Sequence, residues 1–357
     1  MSDEKRMILN MLKEGKITED EAIKLLDAVG ERETEKMNFS EMGSDLAKKI
    51  MNSVEKVLKK TGETISNIDF EEIGQSFQSG TKYSARIEKT ATVNLEGTEK
   101  PNIKLKNING RIHVFQWDND YIELRSKISF DDKLLRDDYE FIKAEKVGDK
   151  ITIRSNLVDN RRQPFIAHMS IAFPRRPYKD FEVSTVNGAI EINFIEADEL
   201  EASSVNGRIT LNSVRAKEQK YKSTNGTIAI NEAEGKEIDA KTVNGKISAH
   251  GIYVGEFDAK VTNGSIYIGD ISEATKDISL KTTNGSIDVD ITDFTRPIKV
   301  ELKRNSKHSS KINLSPRFTS ILTEDRYINA FTEGYSDAHE NRLHIEGVTA
   351  NGSIAID

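Results

Sequence analysis

The stretches STVNGAI (184–190), SSVNGRI (203–209), KSTNGTI (222–228), KTVNGKI (241–247) and KVTNGSI (260–266) say the same thing five times, 19 residues apart. A sixth Asn-Gly-x-Ile follows 21 residues later at Asn284, and flanking copies begin at Asn109 and Asn351. The corners are therefore Asn109-Gly110, Asn187-Gly188, Asn206-Gly207, Asn225-Gly226, Asn244-Gly245, Asn263-Gly264, Asn284-Gly285 and Asn351-Gly352. A fixed period of this size marks a repeat architecture, in which each unit is too small to bury its own apolar face and stacks on its neighbours.

Counted from each Asn, position +3 is Ile in all eight copies (Ile112, Ile190, Ile209, Ile228, Ile247, Ile266, Ile287, Ile354) and position +5 is always apolar. Upstream, position −4 is apolar except at Gly347, and position −6 except at Gln219. Charged and hydroxyl residues lie between, so each arm alternates with the period of a half-buried strand. The apolar phase slips by one residue at Asn-Gly, which makes that pair a corner, and the expected reason is a positive φ that glycine, and often asparagine, tolerates. Tandem hairpins with two-residue Asn-Gly loops satisfy this pattern. So does a β-solenoid, with identical residues laddered at strand spacing. The equal spacing and a further apolar position at +8 (Trp117, Ile195, Val214, Ala233, Ile252, Ile271) favour the solenoid.

Around the array, 357 residues suggest about two domains. Cysteine is absent, which excludes disulfides and thiolate metal sites. The start, MSDEKRMILNMLKEGK, lacks the apolar run of a signal peptide, so the expected compartment is the cytoplasm. Net charge is 52 − 59 = −7, and residues 1–80 hold 12 basic and 17 acidic side chains, hence −5. A nearly neutral β array is a poor polyanion ligand, so no nucleic-acid partner is expected.

Residues 1–30 read as a helical hairpin. Met7, Ile8, Met11 and Leu12 form one stripe ending at Gly15, then Thr18-Glu19-Asp20-Glu21 has capping-box spacing and opens a second helix. Such a hairpin buries too little to stand alone, so homo-oligomerisation through residues 2–29 is expected. Residues 31–80 form a linker in which Phe39, Met42, Leu46, Ile50, Val54 and Leu58 recur every three or four residues, giving an amphipathic helix over 39–60 with lysines toward its C-terminal half. That stripe suits packing on the array or on another copy, or the surface of an anionic membrane at its inner face. Residues 81–357 are assigned to the β-solenoid, with regular coils over about 181–292.

No nucleotide-binding, metalloprotease or nucleophile-elbow motif occurs, and the six histidines have no ligand spacing. No catalytic residue, cofactor or metal is expected. Asp288, Asp290 and Asp293 are the outward acids that alternation demands. Lys299, Lys303, Arg304, Lys307 and Lys311 form a candidate anion patch in a degenerate repeat, with Asn305-Ser306 standing 21 residues after Asn284 in the place of the next corner.

The run Lys16-Ile17-Thr18-Glu19-Asp20-Glu21-Ala22, followed by Leu25-Leu26, resembles the N-terminal domain of YvlB/LiaX-type bacterial proteins. Thr-Val-Asn-Gly-x-Ile at Thr185 and Thr242, with Asn109-Gly110-Arg111-Ile112 and Trp117, is similar to the DUF4097 β-strand repeat family, often labelled "putative adhesin". The resemblance implies a mainly β chain built on a right-handed solenoid, no catalysis, and a link to cell-envelope stress through a membrane or membrane-protein partner. The expected function is thus non-enzymatic binding and regulation; a surface adhesin or carbohydrate-binding solenoid is the alternative, and a polysaccharide-active enzyme a third.

Overall fold

A computed structural model describes residues 83–133, 137–156, 165–304, 311–324, 326–336 and 342–357, and every regular element among them is a strand. The helices expected within residues 1–80 lie outside the described residues. Strands Ile209–Asn225, Ile228–Asn244 and Ile247–Asn263 follow one another with an Asn-Gly corner between each pair. They run parallel and in register, with Ile209 beside Ile228 and Ile228 beside Ile247. Tandem hairpins would pair antiparallel across Asn-Gly, so the repeats are stacked coils of a solenoid.

Alternation supplies the core. All eight +3 isoleucines are fully buried, and positions +5, −4 and −6 beside them are equally dry. Each ladder stacks like on like at the strand spacing of about 4.8 Å. Gln219 and Tyr221, the two residues that depart most from the pattern at −6 and −4, sit in one coil and satisfy each other. The Tyr221 hydroxyl donates to Gln219 Oε1 at 2.7 Å, and Gln219 Nε2 donates to the Glu234 carbonyl at 2.9 Å. Burial pushes the Tyr221 hydroxyl well above the usual phenol range.

The corner glycines are required by close approach more than by dihedral angle. Gly188, Gly207, Gly226, Gly245 and Gly352 have no left-handed φ, and no corner asparagine has one either. A Cβ on Gly207 would lie 1.8 Å from the Gly188 carbonyl oxygen, and one on Gly226 would lie 2.0 Å from that of Gly207. The positive-φ expectation holds at Gly110, Gly264 and Gly285, with φ of 120°, 143° and 159°. Left-handed backbone instead marks a second corner at +7, in Phe194, Ser213, Glu232, Gly251 and Asp270 of five successive coils. This corner turns the chain from the short arm at +3 to +6 into the third side that begins at +8.

The order of coils departs from chain order at both ends. Ile112 pairs with Ile190, and Asn109 bridges to Asn187, so the first coil lies directly on the second although 78 residues separate their corners. The intervening chain returns on the outer side: strand Ile166–Pro174 pairs with Ile112–Trp117, and antiparallel strands Tyr121–Phe130 and Ala85–Asn94 extend the sheet beyond it. The far end repeats the arrangement. Leu343–Asn351 runs beside Asp277–Asn284, and Ile298–Arg304 lies outside it. Segment 299–311 therefore does not take the place after Asn284, as its spacing suggests; the coil of Asn351 does. Each of the eight corners presents glycine to a carbonyl of the neighbouring coil or strand, and position 306 is serine.

In-register stacking carries a test. Removing Lys217–Gly235, 19 residues that take out one coil with its Gln219–Tyr221 pair, should leave a folded, shorter array, because neighbouring ladders rejoin in phase. Removing ten residues from the same place should not. Circular dichroism and thermal melting distinguish the two; indistinguishable behaviour would contradict the register.

Candidate functional site

Stacking turns each repeat position into a column, so chemistry on this surface comes in rows. The eight corners form one uninterrupted asparagine ladder. Nδ2 of Asn187, Asn206, Asn225, Asn244, Asn263, Asn284 and Asn351 each donates to Oδ1 of the asparagine in the coil before, at 2.8–2.9 Å. Beneath it, hydroxyls at −2 cap the glycine carbonyls that the strand ladder does not use. Ser204, Ser223, Thr242, Thr282 and Thr349 donate to the carbonyls of Gly188, Gly207, Gly226, Gly264 and Gly285 at 2.9–3.2 Å. That requirement explains the Ser/Thr bias before Asn-Gly.

The broad face upstream of the corners carries ruled charge. Position −7 is acidic in six successive coils: Asp180, Glu199, Glu218, Glu237, Glu256 and Asp277 stand in register. Position −3 is lysine in four: Lys222, Lys241, Lys260 and Lys281. Between them lie Glu201, Asp239 and Asp258 at −5, and the lysines reach back to this column. Lys222 meets Glu201 at 3.4 Å, Lys281 meets Glu346 at 2.9 Å, and Lys241 pairs with Asp239. Asp198 sits between Lys100 at 2.5 Å and Lys217 at 3.0 Å, and these hydrogen bonds hold its carboxyl below the usual range. Partly exposed pairs of this kind are screened by solvent, so they set the pattern of the face more than its stability. Lys106 is the outlier. It is buried, its Nζ has no hydrogen-bond partner among the described residues, and desolvation followed by repulsion from Lys104 pushes its ammonium down to about 8.

On the face downstream of the corners, Asn193, Asn212 and Asn231 form a second amide row, and Asn193 Nδ2 also lies 3.1 Å from His113 Nε2. Further along the same row stands His250, whose ring lies 4.8 Å from that of Tyr267 with the planes tilted by 39°. The Tyr267 hydroxyl lies where a side chain on Gly269 would stand. With Lys246, Ser248 and Asp288 these rings line a shallow depression of about 370 Å³. Asp288 is raised above the ordinary carboxyl range by burial and by Asp357. A second depression, about 410 Å³, surrounds Trp117, the chain's one tryptophan, with Asp118, Asp120, Arg175, Arg176 and two prolines. Among the described residues, no group of three or more His, Asp or Glu is placed to hold a metal ion.

Of the residues singled out in the sequence, the eight Asn-Gly corners come together in the ladder. Lys299, Lys303 and Arg304 share strand Ile298–Arg304, and Lys311 directly precedes Ile312–Leu314. Lys299 pairs with Glu301 at 2.5 Å and Lys303 lies over the Tyr327 ring, so this group is partly neutralised. Lys307 and the Phe39, Met42, Leu46, Ile50, Val54 and Leu58 stripe lie outside the described residues. The Trp117 depression was not legible beforehand, because Pro174 to Pro177 join it from the far side of the excursion.

Among solved structures, the chain is similar to a "putative adhesin" from Parabacteroides merdae, at 11% identity over 77% of this chain and 97% of that one, with a TM-score of 0.40. It is similar to a "putative lipid binding protein" from Parabacteroides distasonis, at 10% identity over 76% and 96%, TM-score 0.38. A "putative cell adhesion protein" from Clostridium sporogenes has 12% identity over 76% and 99%, TM-score 0.26. Likenesses this distant carry no argument about what the chain binds. Curated proteins yield no match. A family model described as a SHOCT-like domain matches residues 3–34. The model described as Toastrack DUF4097 matches residues 101–333, which are 233 of 357 and take in the corners from Asn109 to Asn284, and the chain belongs to that family.

Proposed function

We propose that this chain is a non-enzymatic binding and regulatory protein of the bacterial cell-envelope stress response, acting by self-association and by contact with a membrane surface or membrane protein. The observation that carries the binding part is the ruled face: charge held in columns one coil apart suits an extended or repetitive partner better than a small substrate. The stress-response part rests on the resemblance of Lys16 to Leu26 to YvlB/LiaX-type proteins. In this reading residues 2–29 bring copies together, the Phe39 to Leu58 stripe touches anionic lipid at the cytoplasmic side, and oligomerisation multiplies the effective concentration of the second and later helices. No helix among the described residues is long and apolar enough to cross a membrane.

The full-length protein is expected to sediment with anionic vesicles at low salt, and Ile50→Glu to abolish this by forcing a charge into the apolar interface. Retained sedimentation by Ile50→Glu, or none by the parent, would remove the membrane part of the reading. The Trp117 depression favours a second reading, surface carbohydrate binding, since an indole beside carboxylates and guanidinium groups suits a sugar ring. A glycan array separates the two.

A further inference from the structure

One strand has solvent on both of its faces. Among the described residues, Phe318–Glu324 pairs only with Tyr327–Thr332, and every residue from Thr319 to Glu324 is exposed. Ile321 is 52% and Leu322 63% exposed, and as consecutive strand residues they point to opposite faces. With Tyr327 on the adjoining strand, this hairpin holds three of the six large exposed apolar residues described. The register slips between Phe318 and Ser320, a bulge that guards the edge against a further strand.

The setting of these side chains is basic. Residues 298–332 hold seven basic and three acidic side chains, hence +4, in a chain of −7, which leaves −11 for the rest. Lys303 lies over the Tyr327 ring at 4.8 Å, and the Arg304 backbone N–H donates to the Arg326 carbonyl at 3.0 Å, so three cations stand at the turn end of the hairpin. At the other end Arg317 donates to the Ile291 carbonyl at 2.8 Å, a neutral partner that leaves its charge in place. The exposed Val147 has no such setting, since residues 140–150 hold three basic and three acidic side chains.

We propose that this hairpin docks on an anionic lipid surface, with Ile321, Leu322 and Tyr327 at the headgroup boundary and the flanking cations among the phosphates. The opposed faces select a fluid partner: a protein surface would cover one of Ile321 and Leu322, whereas a bilayer takes both. The local charge selects anionic lipid. The edge keeps backbone groups that hydrocarbon would leave unpaired, so the insertion is shallow. This contact rests on the membrane part of the reading above and gives the array a lipid site of its own, apart from the Phe39 to Leu58 stripe.

The chain has no cysteine, so a single one can be introduced and labelled with an environment-sensitive fluorophore. In the full chain, Thr323→Cys places the dye beside Leu322, and Val147→Cys is the control, at a site 77% exposed. On vesicles of equal parts phosphatidylglycerol and phosphatidylcholine at low salt, emission at 323 should shift to the blue and be quenched by spin-labelled lipid, with 147 unchanged. On phosphatidylcholine alone neither site should respond. Adding Leu322→Asp should raise the lipid concentration for half the response at 323 roughly tenfold. Melting of the array should not move, because Leu322 is mostly exposed. A signal at 323 that stays as in water overturns the proposal, and so does an equal response at 147 or on phosphatidylcholine alone. Ile50→Glu is read by sedimentation, so the stripe and the hairpin fail separately.

Discussion

Gly226→Ala is expected to abolish cooperative melting of the array or to lower its stability by about 3 kcal/mol or more, at the upper end of overpacking penalties. The added methyl would stand 2.0 Å from the Gly207 carbonyl oxygen and 2.8 Å from Ser223 Oγ. Neither can retreat cheaply. The carbonyl belongs to a backbone fixed by the coils on both sides, and Ser223 Oγ is the group that caps that carbonyl. Gly97→Ala meets nothing within 4 Å and should cost little beyond its left-handed φ of 76°. Chemical denaturation of the two variants checks this; similar midpoints would mean that corner spacing is adjustable.

The second large effect is Ile228→Asp. The side chain is fully buried between Ile209 and Ile247 of adjacent coils, so the change forfeits roughly 1.5–3 kcal/mol of burial and adds an unpaired charge. Thr227→Asp, one residue earlier and pointing out, should cost under about 0.5 kcal/mol. Urea midpoints should separate widely, and coincident midpoints would refute the inward assignment of +3. Because each coil touches only its neighbours, Ile228→Asp should also uncouple the coils of Asn109 to Asn206 from those of Asn244 to Asn351, giving two transitions.

What could be read beforehand was whatever repeats within one coil. Alternation around Asn187 to Asn284 identifies strand, inward face and corner, because a half-buried strand imposes its period on every copy. The second corner at +7 escaped notice since Phe194, Ser213, Glu232 and Asp270 share no composition; their left-handed backbone is imposed by the stack and not by residue preference. Coil order at the ends also escaped. Any two Asn-Gly corners can stack, so nothing local says that Asn109 meets Asn187, or Asn351 meets Asn284. A signal was present nonetheless: Asn351 is followed by glycine, as every corner that stands against a carbonyl is, and Asn305 by serine. Gln219 reads as a failed core position until Tyr221 is seen to bond it.

The asparagine ladder also bears on how long the molecule lasts. Asn-Gly is the dipeptide in which the glycine nitrogen most readily attacks the preceding carboxamide, expelling ammonia and leaving a succinimide that opens to aspartate or isoaspartate. Here both reactants are engaged. The nitrogens of Gly188, Gly245, Gly264 and Gly285 donate to the asparagine carbonyl of the next coil, and the carboxamides are tied along the ladder. Rotation of the side chain onto the backbone would break the bonds on either side. The repeat thus places its most perishable chemistry where folding arrests it, and an unfolded coil starts a clock that its folded neighbours do not run.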